Sequence, residues 1–432
     1  MRAAIRAVFA SPSIDRIFRN AGKLLRGKAI AGLLSLAYLG IAARSLGPQD
    51  MGALVLAHAY AMTIAGVMRF QSWQAVIRFG VPMIADNKPA DFRALMRFTI
   101  RLDVLTGAAA MALAALGVPL AARLFHWSDE VTRVVYVYCL AVPGLIAATP
   151  TGILRLFGRF ELLSLQLTLM PAVRLAGALT LWALGGGAAA FIAVWILSAF
   201  ANGASLWILG LRDLRRRGLM PDLLAPSEAP TDRAWLPFMI KTNLSSTIDM
   251  VHGSLPVLIV GAVLGSAAAS FLQIAINATN VLAHPTNMLN QATYPELAEA
   301  ANSRGRKEMV ALTFRSILIA IAFASPVVLT FVFFSGTVVT LIAGAHFLPA
   351  APIVALMAVS QPLRIASVML DSAVLARGHA GASLAAQVVS AIVHLGALAI
   401  LLPLAGVIGA PIALMLGRTS MIALLGARVV SD

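Results

Sequence analysis

The sequence predicts an all-α, polytopic membrane protein of about 12 transmembrane helices, arranged as two pseudo-symmetric six-helix bundles around a central cavity. The composition, the spacing of the apolar runs and the placement of Lys and Arg predict this fold. Of the 432 residues, 60% are hydrophobic and 12% are charged, whereas about 25% are charged in a typical soluble domain. Such a chain cannot cover its apolar surface in water, so lipid is its expected solvent.

Twelve apolar runs follow one another along the chain, and most approach the length of about 20 residues that crosses a bilayer. They lie near 29–43, 52–68, 102–122, 134–154, 162–184, 188–210, 235–263, 267–293, 312–343, 350–374, 383–404 and 406–427. Residues 1–28 are interpreted as a basic cytoplasmic or interfacial segment, because their apolar run is too short for a signal-peptide core. A polar linker with three prolines, 211–234, separates an N-terminal half, 29–210, from a C-terminal half, 235–428.

The basic residues fit one orientation of these helices and violate the other. With the N-terminus in the cytoplasm, the inner segments hold 23 Lys and Arg, and the outer loops hold only Arg44, Arg123 and Arg133. This asymmetry is the positive-inside rule, so both termini are predicted to be cytoplasmic. The net charge of +15 is then explained by loops that face anionic lipid heads, and no nucleic-acid partner is predicted.

Two stretches of the N-terminal half resemble stretches of the C-terminal half. LGPQDMGALVLA (46–57) aligns with LGSAAASFLQIA (264–275), and AVRLAGAL (172–179) aligns with AIVHLGAL (391–398). The two alignments have nearly the same offset, close to half the length of the chain. This nearly constant offset predicts two parallel six-helix repeats. In transporters of that plan the substrate binds at the interface between the repeats.

Charged residues deep within apolar runs are candidates for a central cavity, since burying one in lipid costs roughly 2.5–3.5 kcal/mol. Arg174 lies near the middle of the fifth run and Arg364 near the middle of the tenth, while Lys241 and Asp249 lie in the seventh. Guanidinium and ammonium groups bind phosphate oxygens, so Arg174, Arg364 and Lys241 are predicted to line a cavity for an anionic cargo. Asp249 is the candidate for ion coupling. Two alternatives stay open: Lys241 snorkels to the membrane surface, and Asp249 pairs with a basic neighbour.

Other polar residues suggest contacts along the same path. Arg69 and Arg78 flank the predicted cytoplasmic mouth, where they could collect an anion or serve only as positive-inside anchors. Polar residues on the eighth run recur at steps of four and three, which places them on one helical face. They are Gln273, Asn277, Asn280, His284, Asn287 and Gln291. Asn280 and Asn287 are predicted to bind saccharide hydroxyls, with hydrogen bonding between helices as the alternative.

No catalytic, metal or cofactor site is predicted, and the chain is not expected to be an enzyme. Cys139 is the only cysteine, which excludes an intrachain disulfide and a CxxC metal site. The sequence contains no GxxxxGK[ST] phosphate-binding loop. The outer cluster of His126, Asp129 and Glu130 is interpreted as a solvated rim.

The order of several motifs resembles a known family. They are ARSLGPQDMG (43–52), WQAVIRFG (73–80), TYPELAEA (293–300), GAHFLPAAPIV (344–354) and LARGHAGASL (375–384). Along nearly the whole chain this order is similar to the bacterial polysaccharide transporters, the Wzx-like flippases for O-antigen and exopolysaccharide. Their superfamily also holds multidrug/toxin extrusion antiporters and MurJ-type lipid II flippases.

The resemblance implies a function and partners. It implies a flippase that moves an undecaprenyl-diphosphate-linked oligosaccharide across the bacterial inner membrane by alternating access. Implied partners are this lipid-linked oligosaccharide and membrane lipids, with polysaccharide polymerase and chain-length machinery as further candidates. A multidrug or cation antiporter is disfavoured because the deep charges are mostly basic. A membrane-embedded transferase is disfavoured because the outer loops are short.

Overall fold

The computed structural model describes residues 12–224, 235–280 and 306–431, and all regular elements within these ranges are helical. The N-terminal half contains α1 (Pro12–Met68), α2 (Ser72–Ala85), α3 (Pro89–Leu124), α4 (Asp129–Tyr138), α5 (Ala148–Leu156), α6 (Phe160–Leu184) and α7 (Ala188–Arg216). The C-terminal half contains α8 (Trp235–His252), α9 (Ser254–Leu264), α10 (Ser266–Asn280), α11 (Arg306–Phe333), α12 (Ser335–Ala343), α13 (Ala351–Ala376), α14 (Ala380–Ala405) and α15 (Gly409–Ser431). The predicted all-α class is therefore confirmed.

Within the described ranges, eight helical segments are long and apolar enough to cross a membrane. Two of them, 22–85 and 380–430, have 64 and 51 residues, more than one crossing requires. The first bends at Gly47 and the second is interrupted at Gly406–Ile408. The count of twelve crossings stays a prediction.

The predicted run 312–343 is divided at a different residue from the one its sequence suggests. Pro326 lies inside α11, and the chain breaks further on, at Phe334, before α12 begins. A proline inside a helix removes one backbone hydrogen bond, and here the helix continues through it. The run 235–263 is likewise divided, at Gly253, into α8 and α9.

Backbone conformation recurs at positions that the sequence alignment pairs. Gly47 has φ 72° and ψ 178°, and its aligned partner Gly265 has φ 87° and ψ 173°, each at a helix break. Glycine adopts this region without the steric cost that a Cβ would add. Gly158 and Gly378, at nearly the same offset in the turns before α6 and α14, also share a positive φ. These matches support the predicted repeat, while the boundaries of the two halves remain predictions.

The two halves meet along α1 and are packed closely at the predicted outer end. A Cβ on Gly40 would overlap the carbonyl oxygen of Ile342, and one on Gly52 would overlap the carbonyl oxygen of Ser266. Arg44 adds a polar contact, because its Nη2 donates to the carbonyl oxygens of Thr340 (3.2 Å) and Leu341 (2.5 Å). These carbonyls belong to the last turn of α12, where a cation is favoured. We name these Gly40, Arg44 and Gly52 contacts the outer seal.

Side chains make the contacts between the halves toward the predicted inner end. Asn243 Nδ2 donates to the carbonyl oxygen of Val67 over 3.0 Å. The Arg78 guanidinium lies 4.6 Å from the centroid of the Phe238 ring. Unlike the outer seal, these contacts can open by rotation of side chains.

Candidate substrate cavity

A cavity of about 760 Å³ lies between the two halves, a size typical of ligand sites. The N-terminal half contributes residues of α1, α2 and their connection, and the C-terminal half contributes residues of α8, α9, α10 and α14. The lining consists of His58, Ala59, Met62, Gly66, Arg69, Gln71, Trp73, Gln74, Thr242, Gly253, Ser254, Gln273, Ile276, Asn277, Asn280 and Gln387. A position between the halves is the one that the repeat hypothesis predicts.

The connection between α1 and α2 brings several polar side chains to this cavity. Counted from Gly47, Arg69 lies about 33 Å along the helix axis, close to the roughly 30 Å thickness of the hydrocarbon core. The helix ends here, and Gln71 precedes the first turn of α2. The Trp73 indole donates to Gln71 Oε1 over 2.6 Å, which orients both side chains. The break therefore presents Arg69, Gln71 and Trp73 to the cavity near one membrane boundary.

Asp103 of α3 holds the connection between α1 and α2 in place through a hydrogen bond from Ser72. Ser72 Oγ donates to Asp103 Oδ1 (2.7 Å), and the Thr149 backbone nitrogen donates to Oδ2 (2.6 Å). Asp103 is 2% exposed, so the two hydrogen bonds stabilise a group that would be costly to bury alone. It joins the start of α2 to the start of α5, where a negative charge is favoured. Asp103 is a positioning residue for the segment that carries Arg69.

The lining is rich in amide groups and poor in charge. Six amide side chains reach the cavity, and they are Gln71, Gln74, Gln273, Asn277, Asn280 and Gln387. Each amide offers two donors and a carbonyl acceptor. Among the described lining residues Arg69 is the one Arg or Lys, and none is acidic. The surface can therefore accept one anionic group together with a cargo rich in hydroxyls.

His58 links the cavity to a buried aromatic cluster. Its Nδ1 lies 2.9 Å from the Tyr138 hydroxyl, within hydrogen-bond distance, and its ring packs edge-on against Trp195 at 5.2 Å between centroids. Arg174 also contacts Trp195, with its guanidinium 4.0 Å from the indole centroid. A cation over an indole face is attracted by the ring quadrupole.

Arg174 lies in the interior of the N-terminal half. It is 4% exposed, its Nε donates to Ser198 Oγ (2.9 Å), and its Nη1 donates to the Tyr38 hydroxyl (3.1 Å). Hydrogen bonds and aromatic faces thus compensate a charge removed from water. Of the described residues that line the cavity, His58 is the one in contact with this cluster's aromatic rings, and Arg174 is not in the lining.

Arg364 lies within a different cluster, in the C-terminal half. It is half-buried on α13 and close enough to Arg418 of α15 for the two charges to repel. Arg418 Nη1 donates to the carbonyl oxygen of Ser360 over 3.1 Å. On the neighbouring helix α14, near Arg418, the ring of His394 stacks on that of His252 with centroids 5.2 Å apart. Arg364 is absent from the described cavity lining.

The structure places the predicted site residues in different parts of the molecule. Arg69 and Asn280 line the cavity, and Arg78 instead stacks on Phe238 between the halves. Asn287, and the side chains of Lys241 and Asp249 on α8, lie outside the part of the chain that the structure describes. The binding and coupling roles of all these residues remain predictions.

Sequence reasoning missed several residues that the fold places at or near the cavity. Gln71, Trp73 and Gln74 belong to a polar stretch, RFQSWQ (69–74), that directly follows an apolar run. This abrupt change from apolar to polar residues indicates a helix break, so the three residues could have been identified from the sequence. Gln387 and Asp103 carry no comparable signal, because single polar residues in apolar helices also serve packing.

Comparisons with solved structures show that this arrangement of helices also occurs in known membrane transport proteins. A structure titled lipid II flippase MurJ, inward closed conformation, superposes with a TM-score of 0.77 over 94% of this chain and 87% of that one, at 14% identity. An inward-facing multidrug resistance MATE family transporter gives a TM-score of 0.65 over 94% of both chains, at 18% identity. At these identities the likeness establishes the fold alone.

The family follows from the sequence itself. Residues 41–352 match the polysaccharide biosynthesis protein family, and the chain belongs to it. The inner membrane protein YghQ of Escherichia coli (strain K12) is 31% identical over 292 residues, which are 67% of this chain and 82% of YghQ. The predicted membership of a polysaccharide biosynthesis family is therefore confirmed. The chain also carries several helices able to cross a membrane and shares its fold with the MurJ and MATE structures.

Proposed function

We propose that the protein flips an undecaprenyl-diphosphate-linked oligosaccharide, a repeat unit of O-antigen or exopolysaccharide, across the bacterial inner membrane. The observation that carries this proposal is the cavity lining: one arginine, six amides, a tryptophan and no acidic residue among those described. Such a surface matches a head group that combines a diphosphate with sugars. The family assignment to polysaccharide biosynthesis supports the same cargo.

The parts of the cargo are assigned to different parts of the cavity. Arg69 is exposed at the break, where its planar guanidinium can bind diphosphate oxygens. Asn277 and Asn280 on α10, with Gln71 and Gln74 from the N-terminal half, supply donors and acceptors for sugar hydroxyls. The Arg155 guanidinium covers one face of the Trp73 ring, 4.3 Å from its centroid, and the other face is proposed to pack against a sugar ring. Lys241 and Asn287 are proposed to extend these two surfaces, as the sequence predicts.

Arg174 and Arg364 are proposed to act from behind the lining. Each is a positive charge in an apolar half, and charges act over longer distances where no water screens them. Arg174 contacts Trp195, and Trp195 packs against His58 of the cavity lining. Two side chains therefore separate the Arg174 charge from the cavity. Both arginines would make the site favourable for an anion without touching it.

Transport is proposed to follow alternating access, with both termini in the cytoplasm. The side-chain contacts near Val67 and Phe238 would open first, to admit the head group while the lipid tail stays in the membrane. The outer seal would open next. Asp249 remains the proposed ion-coupling residue, and Arg78 is proposed to collect the diphosphate at the mouth.

Reconstituted vesicles test this function directly. Purified protein is incorporated with a defined undecaprenyl-diphosphate oligosaccharide, and the appearance of head groups on the opposite leaflet is measured with a membrane-impermeant modifying enzyme. Arg69→Gln should lower the initial rate at least about tenfold, since charged hydrogen bonds contribute roughly 1.5–3 kcal/mol. Arg26→Gln, which changes an exposed arginine of the same helix outside the cavity, should leave the rate within about twofold.

Two outcomes would reject the proposal. One is wild-type protein that leaves the lipid-linked sugar in its original leaflet while it moves a cationic dye against a proton gradient, which would identify an antiporter instead. The other is an equal loss in the Arg69→Gln and Arg26→Gln variants, which would remove Arg69 from the site. Asn277→Leu sharpens the assignment, because it should slow sugar-bearing lipid more than undecaprenyl diphosphate alone.

A further inference from the structure

A second cleft, of about 360 Å³, opens at the predicted cytoplasmic end of the N-terminal half. Among the described residues, it is formed by α1, α6, α7 and the turn before α6, and none of its lining residues also lines the cavity between the halves. Its lining consists of Lys23, Gly158, Arg159, Glu161, Leu162, Leu209, Arg212, Asp213 and Arg216. We refer to it as the basic cleft.

Part of the charge in the basic cleft is neutralised internally. Asp213 is 5% exposed and each of its carboxylate oxygens accepts from one arginine, Arg159 at 3.1 Å and Arg217 at 3.1 Å. Lys23 Nζ pairs with Glu161 at 2.5 Å. These ion pairs fix the walls of the cleft, because they join the turn before α6 to α7 and α1 to α6.

Two other arginines of the lining take no part in these ion pairs. Arg212 and Arg216 are one helical turn apart on α7, and both are exposed. None of the described ion pairs includes either of them. Like charges four residues apart on a helix repel each other. The helix C-terminus and the positive-inside rule both favour cations at this end of α7, but neither explains why Arg212 and Arg216 border the same cleft as Lys23 and Arg159.

The opposite end of the same cleft is apolar. α7 runs toward the predicted cytoplasmic side, so Leu209 lies about 10 Å deeper along the axis than Arg216. On α6, Leu162 lies deeper than Arg159 and faces the same cleft. The cleft therefore changes from basic to apolar toward the centre of the membrane. A phospholipid presents the same order, a phosphate first and an acyl chain beneath it.

We propose that the basic cleft binds the phosphate of an anionic membrane phospholipid, separately from the transported cargo. Arg212 and Arg216 contact the phosphate, with Lys23 and Arg159 as flanking charges, and Leu162 and Leu209 contact the upper part of one acyl chain. Basic pockets between transmembrane helices on the cytoplasmic side suit such head groups. The apolar end favours a lipid over a free phosphate compound. This site does not depend on the identity of the cargo.

Native mass spectrometry of the full chain in neutral detergent tests the proposal. The protein is titrated with phosphatidylglycerol, and bound lipid is counted per protein molecule. Arg212→Gln/Arg216→Gln should weaken the tightest binding step at least about tenfold, since two charged hydrogen-bonding groups are lost. Arg26→Gln/Arg215→Gln is the matched control: it removes the same charge from exposed positions on α1 and α7 that do not line the cleft.

Further measurements distinguish an anionic phospholipid from a neutral lipid and from free phosphate as the bound group. Arg212→Lys/Arg216→Lys keeps the charge and should retain most of the binding, and the melting temperature of each variant shows that it is folded. Equal weakening in the cleft and control variants would overturn the proposal, because charge in general would then explain the binding. Phosphatidylcholine bound as tightly as phosphatidylglycerol would overturn the preference for an anion. Full displacement of lipid by millimolar inorganic phosphate would overturn the assignment to a lipid.

Discussion

The interiors of the two halves accommodate buried polar residues differently. In the N-terminal half Arg174 of α6 donates to Ser198 of α7 and to Tyr38, and lies against Trp195. In the C-terminal half the corresponding helix, α14, carries His394, one position beyond the residue aligned with Arg174, and His394 stacks on His252. The guanidinium there belongs to Arg418 on α15, which is as far from Ser198 in sequence as His394 is from Arg174. Under the predicted repeat, the pair of helices corresponds between the halves, while the guanidinium lies on α6 in one half and on α15 in the other.

This difference suggests distinct roles for the halves. The N-terminal cluster holds one cation with hydrogen-bond acceptors and aromatic faces around it. The C-terminal cluster holds Arg364 and Arg418 close together, and none of the described ion pairs includes either of them. Each cluster holds one buried side-chain nitrogen without a hydrogen-bond partner among the described residues: Arg174 Nη2 in the N-terminal half and His394 Nδ1 in the C-terminal half. We infer that Arg174 is held by its hydrogen bonds and aromatic contacts and that the C-terminal half, with two guanidinium groups near each other, is the more sensitive to added charge.

Exchange of the two corresponding residues tests the comparison, and His394→Arg should have the largest effect. A third guanidinium would be buried in the half that holds Arg364 and Arg418 and against Gly417, where α15 approaches closely. An unpaired buried charge costs about 3 kcal/mol or more, so we expect little folded protein in the membrane and a strongly lowered melting temperature. His346→Arg adds the same charge at an exposed outer position and should be tolerated. Normal stability of His394→Arg would show that the C-terminal cluster is not limited by charge.

The reciprocal change, Arg174→His, should have an intermediate effect. Imidazole is too short to reach both Ser198 and Tyr38, so hydrogen bonds and the contact with Trp195 are lost. We expect a loss of about 2 kcal/mol in the free energy of unfolding, measured by thermal or denaturant unfolding in detergent. Arg364→His should cost less, because Arg364 is only half-buried. An equal loss at both positions would contradict the inference that the contacts of Arg174 stabilise the N-terminal half more than Arg364 stabilises the C-terminal half.

The smallest effect is expected for Ser198→Ala. It removes the acceptor of Arg174 Nε and should lower the stability by about 1 kcal/mol. Ser205, on the same helix, donates to the carbonyl oxygen of Asn202 within that helix. Ser205→Ala is therefore the matched control and should change the melting temperature less. If the two alanine variants melt alike, the Arg174–Ser198 bond contributes nothing net.

The class of fold and the place of the cavity can be predicted from the sequence, but only part of the cavity lining can. Composition and apolar run length indicate a membrane protein because lipid imposes both. Arg69 and Asn280 are recognisable because a charge and a polar stripe are conspicuous in apolar helices. Arg174 is expected in the cavity because its depth along the helix is readable from the sequence. The direction in which the Arg174 side chain points cannot be read from the sequence, because the rotation of a helix about its axis depends on which neighbours pack against each face.

The breaks in the helices show the same limit. Gly47 and Gly265 align in the sequence, yet their shared conformation requires coordinates. Pro326 suggests a kink, but the chain breaks at Phe334. A proline weakens a helix locally, and tertiary packing then decides whether the helix ends there.

The outer seal has a consequence for how such a protein can diversify. Gly40 and Gly52 touch backbone atoms of the opposite half, so any larger residue there would push the halves apart regardless of cargo. The amides of the cavity face open space, so a change of side chain there does not force backbone atoms of the two halves apart. Under the proposed function, the cavity lining could therefore change with the sugar that it binds while the outer seal stays fixed. The positions least able to vary would then include Gly40 and Gly52, which do not line the cavity.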